Sequence, residues 1–453
     1  MFVITSATIF PFVTFNKYSL PSMNLHKNHL IYIFFIFLTG CASTYYATNT
    51  ESNSQKILFK DHIYQNNIKS VVLYPFGKLS STRTPVIPVN EPLQLQLEFD
   101  DLSDYEQQYM VKIRHLNADW SESRFPEMDY LNEYNEFRIT DYAISIGNTV
   151  SYIHYKFLVP PVKVSGNYLV QVYKEGNEND VILTKQFVVF ENSTRIYSPD
   201  HQTGLSSFRG HNIDFNVNYA GSSVEDPFLH LKAVIRQNNR WDNALVNIAP
   251  TQIRDDLNEA RFQSFVNTQS FEPGNEFRFF DIRSVISPGQ NVTHIDRETT
   301  PIEINVAIDK SRNNLAYTFT RDLNGSFLIE NYDGRNPDYA SHYIKTRFTL
   351  KNDELLPSDT VYVSGEFNQW TLSEENRMKL TTSGQYQTDV LLKQGFYNYI
   401  YLVKSPTKPE HFLEGSFINT ENFYEIFIYD TNPVNRNQRC IGYYMFGLNE
   451  RIR

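Results

Sequence analysis

The sequence has 453 residues, a formal net charge of -10, only two cysteines, and 30 tyrosines beside 34 phenylalanines. A mild acidic excess argues against non-specific nucleic-acid binding, which needs a basic surface, and two cysteines exclude a disulfide framework. The length predicts about two to four domains. The many aromatic residues favour β-strands, because they suit a pleated, half-buried surface.

The first recognisable element is a short apolar run at residues 30–38. A membrane-spanning helix needs about 20 apolar residues, so this run has only the length of the apolar part of a signal peptide. Lys27 precedes it, and Leu38-Thr39-Gly40-Cys41 follows in the pattern of a bacterial lipobox. We therefore expect a lipoprotein signal peptide at 23–40 and a lipid anchor on Cys41. An ordinary cleaved signal with an incidental cysteine is the alternative.

The residues around this leader carry two further expectations. Residues 1–22 do not fit a leader, and Met23 is the better start, so we expect 1–22 to be a mis-annotated and disordered start. Residues 41–58 are polar and predict a flexible tether. Ala42 follows the cysteine where an Asp would retain a Gram-negative lipoprotein in the inner membrane. By resemblance to those sorting rules we expect the periplasmic side of the outer membrane.

From about residue 60 onward, short strand-like runs alternate with turn residues. Residues 93–99 alternate apolar and polar side chains, the pattern of a half-buried antiparallel strand. The predicted strands are 68–74, 93–99, 109–116, 152–158, 168–173, 184–189, 213–219, 229–237, 277–283, 302–308, 325–330, 343–350, 360–365, 384–392, 396–403 and 424–429. Residues 251–261 are expected to hold a short helix at most.

The spacing of these runs predicts an all-β protein of tandem antiparallel β-sandwiches, immunoglobulin-like or early-set-like. Polar connectors at 193–202 and 331–339 place the domain boundaries. We expect an N-terminal sandwich at 59–195, a middle β-rich domain at 196–340 and an early-set-like C-terminal sandwich at 341–447.

Signatures of catalysis and metal binding are missing from the sequence. It has no nucleophile elbow, P-loop or zinc-protease motif, and its histidines show no ligand spacing. The neighbours Asp100 and Asp101 would point to opposite faces of a strand, so they cannot form an acid–base pair. We predict a non-enzyme without cofactor or metal, in which Cys440 is a small buried residue.

Some clusters combine a large aromatic side chain with Arg or Asp. Such side chains anchor interfaces, although they can equally be strand ends whose ring packs in the core. The candidate residues are Trp120, Arg240, Trp241, Arg278, Phe279 and Trp370. Trp370 ends a strand-turn at 361–370 that resembles carbohydrate-binding early-set domains, so its ring could stack on a sugar or close the sandwich edge.

These clusters resemble the type IX secretion system plug protein family of Bacteroidota, in the family's order over about 60–445. The matching segments are 100–102, 115–120, 165–168, 237–243, 274–284, 322–325, 393–399, 414–415 and 420–422. The resemblance implies a non-enzymatic periplasmic protein that occludes a large outer-membrane translocon barrel, its partner. It supplies no functional residues. The alternative is a glycan-binding outer-membrane or surface lipoprotein; a glycoside-processing enzyme is a weaker third hypothesis.

Overall fold

The computed structural model describes residues 56–77, 84–198, 210–263, 270–334, 336–351 and 354–450. The expected start at 1–22, the signal peptide at 23–40, Cys41 and residues 42–55 of the tether lie outside the described residues. Within the described residues, no helix has the length and apolar character needed to cross a bilayer.

The first sandwich follows from alternating side chains. In Tyr109–Leu116 every second residue is buried, as the period-two pattern predicts. Its strands are β1 His62–Ile63, β2 Ile68–Pro75, β3 Val86–Pro88, β4 Leu95–Asp101, β5 Tyr109–Leu116, β6 Phe137–Arg138, β7 Asp141–Ile144, β8 Ile153–Leu158, β9 Gly166–Lys174 and β10 Val181–Phe190, with helix α1 at Glu127–Tyr130. One sheet has the order β1-β10-β9-β5-β6, with β3 parallel to β10, and the other has the order β2-β4-β8-β7. Their apolar faces share one core.

The second sandwich begins at residue 195. Its first strands are β11 Arg195–Tyr197, β12 His211–Asn212, β13 Phe215–Asn218, β14 Leu231–Gln237, β15 Leu245–Ile248, β16 Gln252–Arg254, β17 Glu259–Phe262 and β18 Ser270–Phe271, with helix α2 at Pro227–His230. One sheet has the order β11-β13-β17-β16, and β12 pairs with β18. The pair β14-β15 begins another sheet, which strands much later in the chain complete.

The third sandwich comes next in the chain. Its strands are β19 Arg278–Asp281, β20 Val292–Asp296, β21 Ile302–Val306, β22 Asp309–Lys310, β23 Phe327–Ile329, β24 Tyr343–Lys351, β25 Thr360–Ser364, β26 Lys379–Leu380, β27 Tyr386–Lys393 and β28 Gly395–Lys404, with helix α3 at Pro337–Ala340. One sheet has the order β20-β21-β24-β27-β26, with β22 beside β24. In the other, β28 pairs with β19, β23 and β25.

The last strands, β29 Asn422–Asp430 and β30 Arg439–Leu448, return to the second sandwich. There β29 pairs along the whole of β14, from Leu231 opposite Asp430 to Gln237 opposite Tyr424. The third sandwich is therefore an insertion between two parts of the second, whose core combines residues from both parts.

The all-β class and the series of sandwiches agree with the sequence prediction, but the division of the chain differs. The expected boundary at 340 crosses one continuous sheet, because β21 pairs in parallel with β24 and Ile302 lies opposite Ile344. Residues 196–340 thus contribute to two sandwiches. Polar connectors alone predict these boundaries, and the sequence of a connector does not reveal which strands pair across it.

Some predicted elements differ from those of the structure for reasons that lie in the nearby sequence. Residues 251–261, expected to hold a short helix at most, form β16, a single 3-10 turn at Asp255–Leu257 and the start of β17. The strand expected from 229 starts only at Leu231, because Pro227 begins α2. Strand β30 was not predicted, since Gly442 and Gly447 interrupt its pattern. Cys440 within it is a buried free thiol, as expected.

Replacing Ile428 with alanine tests whether the second sandwich is closed by β29. The Ile428 side chain is fully buried in that core. We expect the free energy of unfolding to fall by about 2–5 kcal/mol, measured by urea denaturation. Hydrogen exchange should also rise in β14, which pairs with β29 although it lies far away in sequence.

The control is Val434→Ala, because Val434 is 83% exposed and its loss should change stability by less than about 0.5 kcal/mol. If Ile428→Ala left exchange in β14 unchanged, the shared sheet would be contradicted.

Candidate functional site

The three sandwiches meet around a cavity of about 510 Å³ lined by all three tryptophans of the chain. Trp120 comes from the first sandwich, Trp241 from the second and Trp370 from the third. Arg240 also lines the cavity. The structure thus brings four of the six candidate interface residues together at one place. We call this place, formed by Trp120, Arg240, Trp241 and Trp370, the junction.

Tight turns aim two of these rings into the junction. Trp120 and Trp370 both have a positive φ, of 64° and 56°, which is unusual for a bulky residue. Asp119 supports the first turn by accepting a hydrogen bond from the Ser121 amide at 2.9 Å. The packing of each ring against another sandwich compensates for this local strain.

The first and second sandwiches are joined by aromatic and apolar contacts. Trp120 meets Trp241 edge to face, with ring centroids 4.8 Å apart. Beside them, Val188 of the first sandwich packs against Phe427 and Tyr429 of the second. The Tyr429 hydroxyl donates a hydrogen bond to Asn167 Oδ1 at 2.7 Å.

A buried ion pair lies behind Trp241. The Arg236 guanidinium is 4.4 Å from the Trp241 ring and binds both carboxylate oxygens of Glu425, at 2.5 and 2.9 Å. Arg236 is 1% exposed. Thr84 of the first sandwich donates to Glu425 at 2.8 Å and accepts from Arg236 at 2.6 Å. The pair therefore also fastens the first sandwich to the second.

Trp370 is held between the second sandwich and its own. The Arg240 guanidinium lies 4.0 Å from the ring centroid, and Arg240 is fixed in turn by Asp242. The end of the ring packs on Gly325, where a β-carbon would come within 2.7 Å of it. Because Arg240 covers one face of the Trp370 ring, a sugar cannot stack on that face.

The first and third sandwiches are joined by a buried polar network around Asp100. Its carboxylate accepts from Tyr343 at 2.6 Å and pairs with Lys393 at 2.7 Å, both in the third sandwich. On its own sheet it contacts His154 Nδ1 at 2.7 Å. Burial alone would raise the pKa of Asp100, but Lys393 and His154 hold it below its ordinary value. Asp100 is thus an ionised group whose partners lie on two domains.

Arg278 and Phe279 do not line the cavity. Arg278 lies inside the third sandwich and binds Asp309 at 2.7 Å and Glu414 at 3.0 Å. Burial would raise the pKa of Glu414, but its arginine neighbours lower it to about 2. Phe279 stacks on Phe396 across β19 and β28 at 5.3 Å. These two candidates belong to the structure of one sandwich.

Sequence reasoning missed the buried charges. Asp101 continues the inward face of β4, where it accepts from the Tyr109 hydroxyl at 2.7 Å, so the alternation of that strand could have revealed it. Asp100 points the opposite way, as expected of a neighbour on a strand, but it is fully buried by the third sandwich. No pattern within β4 shows that another domain covers its outer face.

Comparison with known families identifies the first sandwich. Residues 68–191 match the model of the type 9 secretion system plug protein 1st domain. A solved hypothetical protein from Parabacteroides merdae is 30% identical, with a TM-score of 0.79. The match covers 86% of this chain and all of that protein. No curated protein matches the chain.

Replacing Arg236 with methionine tests the ion pair behind Trp241. The change leaves Glu425 buried without its guanidinium, which typically costs about 3–5 kcal/mol. We expect a loss of that size in the free energy of unfolding, measured by urea denaturation at neutral pH.

The matched control is Arg377→Met, since Arg377 and its partner Glu374 have side chains 44% and 76% exposed. An exposed pair contributes at most about 1 kcal/mol. Equal effects of the two substitutions would contradict a stabilising role for the buried pair.

Proposed function

The chain belongs to the family of type 9 secretion system plug proteins, and on this premise we propose that it occludes the periplasmic mouth of the outer-membrane translocon barrel. The family is a non-catalytic component of secretion and implies association with the secretion machinery at the periplasm or outer membrane. For this chain we infer a steric role: it fills a wide aqueous pore when cargo is absent, and it catalyses no reaction.

The joining of three sandwiches at the junction is the observation that supports this proposal best. A plug must keep its shape against a pore, and protein interiors packed at crystal-like density resist deformation. The Arg236–Glu425 pair of the second sandwich bonds to Thr84 of the first, and Asp100 of the first sandwich pairs with Lys393 of the third. These buried charges are engaged with one another, which suits a rigid body better than acid–base chemistry.

Membrane attachment through Cys41 is the second part of the proposal. Acyl chains on this residue would keep the body beside the pore, and such a tether raises the effective concentration without a new contact. We expect Cys41→Ser to move the protein from the membrane to the soluble periplasmic fraction. Mass spectrometry of the wild-type N-terminal peptide decides the point, because a peptide without acyl chains would refute the anchor.

The plugging role is tested in the bacterium that makes the protein. We expect a tagged chain to copurify with an outer-membrane secretion barrel, and a strain without the chain to become more permeable to a large hydrophilic antibiotic. Lys393→Met should restore the barrier less well than the wild type, because it leaves Asp100 buried without its lysine.

Lys404→Met is the matched control. Lys404 is also ion-paired in the third sandwich, but its side chain is 58% exposed, so this variant should restore the barrier fully. Absence of any secretion barrel from the copurified proteins would contradict the proposal, and so would unchanged permeability in the strain lacking the chain.

A further inference from the structure

Three potential metal ligands converge where the first sandwich meets the third. They are Glu98 on β4, His154 on β8 and Asp338 on α3, and their ligand atoms all lie within 4.8 Å of one another. His154 Nε2 is 3.8 Å from Glu98 Oε2 and 4.0 Å from Asp338 Oδ1. These separations exceed a hydrogen bond, so the three groups surround a small gap without bonding to each other.

The histidine is the informative member of the group. His154 is 6% exposed, and its Nε2 is buried with no hydrogen-bond partner among the described residues. A buried polar atom left in this way is costly, and it calls for an explanation such as an ion. This nitrogen lies within 4.0 Å of two carboxylate oxygens, which is an arrangement that a bound cation would satisfy.

The other ring nitrogen fixes the tautomer. His154 Nδ1 lies 2.7 Å from Asp100 Oδ1, and Asp100 also pairs with Lys393. A carboxylate only accepts, so Nδ1 carries the proton and donates it. In the neutral ring, Nε2 then presents its lone pair to the gap. A carboxylate behind a ligating histidine is the usual outer support of a metal site.

Each carboxylate is also oriented by its second oxygen. Glu98 Oε1 accepts from the Tyr74 hydroxyl at 2.6 Å and also from the Gln96 amide. Asp338 Oδ2 pairs with Lys156 Nζ at 2.6 Å. The oxygens nearest His154 are Oε2 and Oδ1, the ones not used in these contacts. Neighbouring groups therefore hold all three side chains in place before any ion arrives.

The local charge is compatible with a dication. The carboxylates of Glu98, Asp100 and Asp338 face the ammonium groups of Lys156 and Lys393, which leaves one negative charge in excess. Binding a dication would bring this to one positive charge. Asp338 lies half-buried at 29% exposure, which gives the ion a path of entry.

We propose that Glu98, His154 and Asp338 form a Zn²⁺ site that clamps the first sandwich to the third, with water as a fourth ligand. One imidazole and two carboxylates are ligands that zinc accepts, and imidazole favours it over Mg²⁺ or Ca²⁺. Tetrahedral bonds of about 2.1 Å place ligand atoms about 3.4 Å apart. His154 Nε2 lies 3.8 and 4.0 Å from the two carboxylate oxygens, so these separations must close by only about 0.4 and 0.6 Å, and the oxygens, within 4.8 Å of each other, by at most about 1.4 Å.

Zn²⁺ binding to the purified full chain tests this site directly. Isothermal titration with ZnCl₂ should show one equivalent bound, and Zn²⁺ should raise the thermal unfolding temperature measured against a chelator. Asp338→Asn and Glu98→Gln should each weaken the affinity by at least about tenfold, and loss of the outer support in Asp100→Asn by about 10–100-fold.

The matched control is Glu303→Gln. Glu303 is ion-paired to Lys345, and its side chain is 31% exposed, nearly the same fraction as the 29% of Asp338. It lies outside the cluster of Glu98, His154 and Asp338. This variant should bind Zn²⁺ like the wild type. Near-ultraviolet circular dichroism in chelator checks that every variant is folded. Absence of stoichiometric binding to the wild type, or equal affinity in folded Asp338→Asn and Glu303→Gln, would overturn the proposal. Neither result depends on pore occlusion.

Discussion

The pairing of β14 with β29 is the constraint on which the rest of the arrangement depends. It closes a sheet between parts of the chain that flank the whole third sandwich. The inserted sandwich is therefore attached to the second at both of its ends, and an insertion held at both ends has less freedom than a domain on one linker. This topology places Trp370 and Lys393 where the first sandwich can reach them.

The first sandwich is held to its two neighbours by different kinds of interaction. Towards the second sandwich, apolar side chains around Phe427 surround the ion pair of Arg236. Towards the third, Asp100 accepts from a tyrosine, a lysine and a histidine on two domains. A buried charge costs several kcal/mol unless its partners are well placed. The polar boundary therefore tolerates less displacement, because a shift of one sandwich would leave Asp100 without its donors.

Sequence reasoning recovered the strands that local patterns determine, but few of the contacts between segments that are distant in sequence. Alternation located β5 with its observed bounds, and the strand predicted at 343–350 differs from β24 by one residue. Residue type alone identified the tryptophans, but their meeting depends on three separate domains. Likewise, Glu98 and Asp338 lie on different sandwiches, so the scattered histidines gave no ligand spacing. Such contacts arise from domain docking, for which a single strand carries no signal.

The stiffness of a multi-domain body is set by its weakest boundary. Between the first and third sandwiches, the contact of Tyr152 with Tyr343 accompanies the Asp100 network and the pair of Lys156 with Asp338. Of these contacts, the partly exposed pair of Lys156 with Asp338 exchanges with water most easily, because hydration compensates for its loss. A dication shared by residues of both sandwiches would reinforce this half-buried edge of the boundary. Its ligands lie on that boundary and not at the tryptophans, where packing already joins the domains.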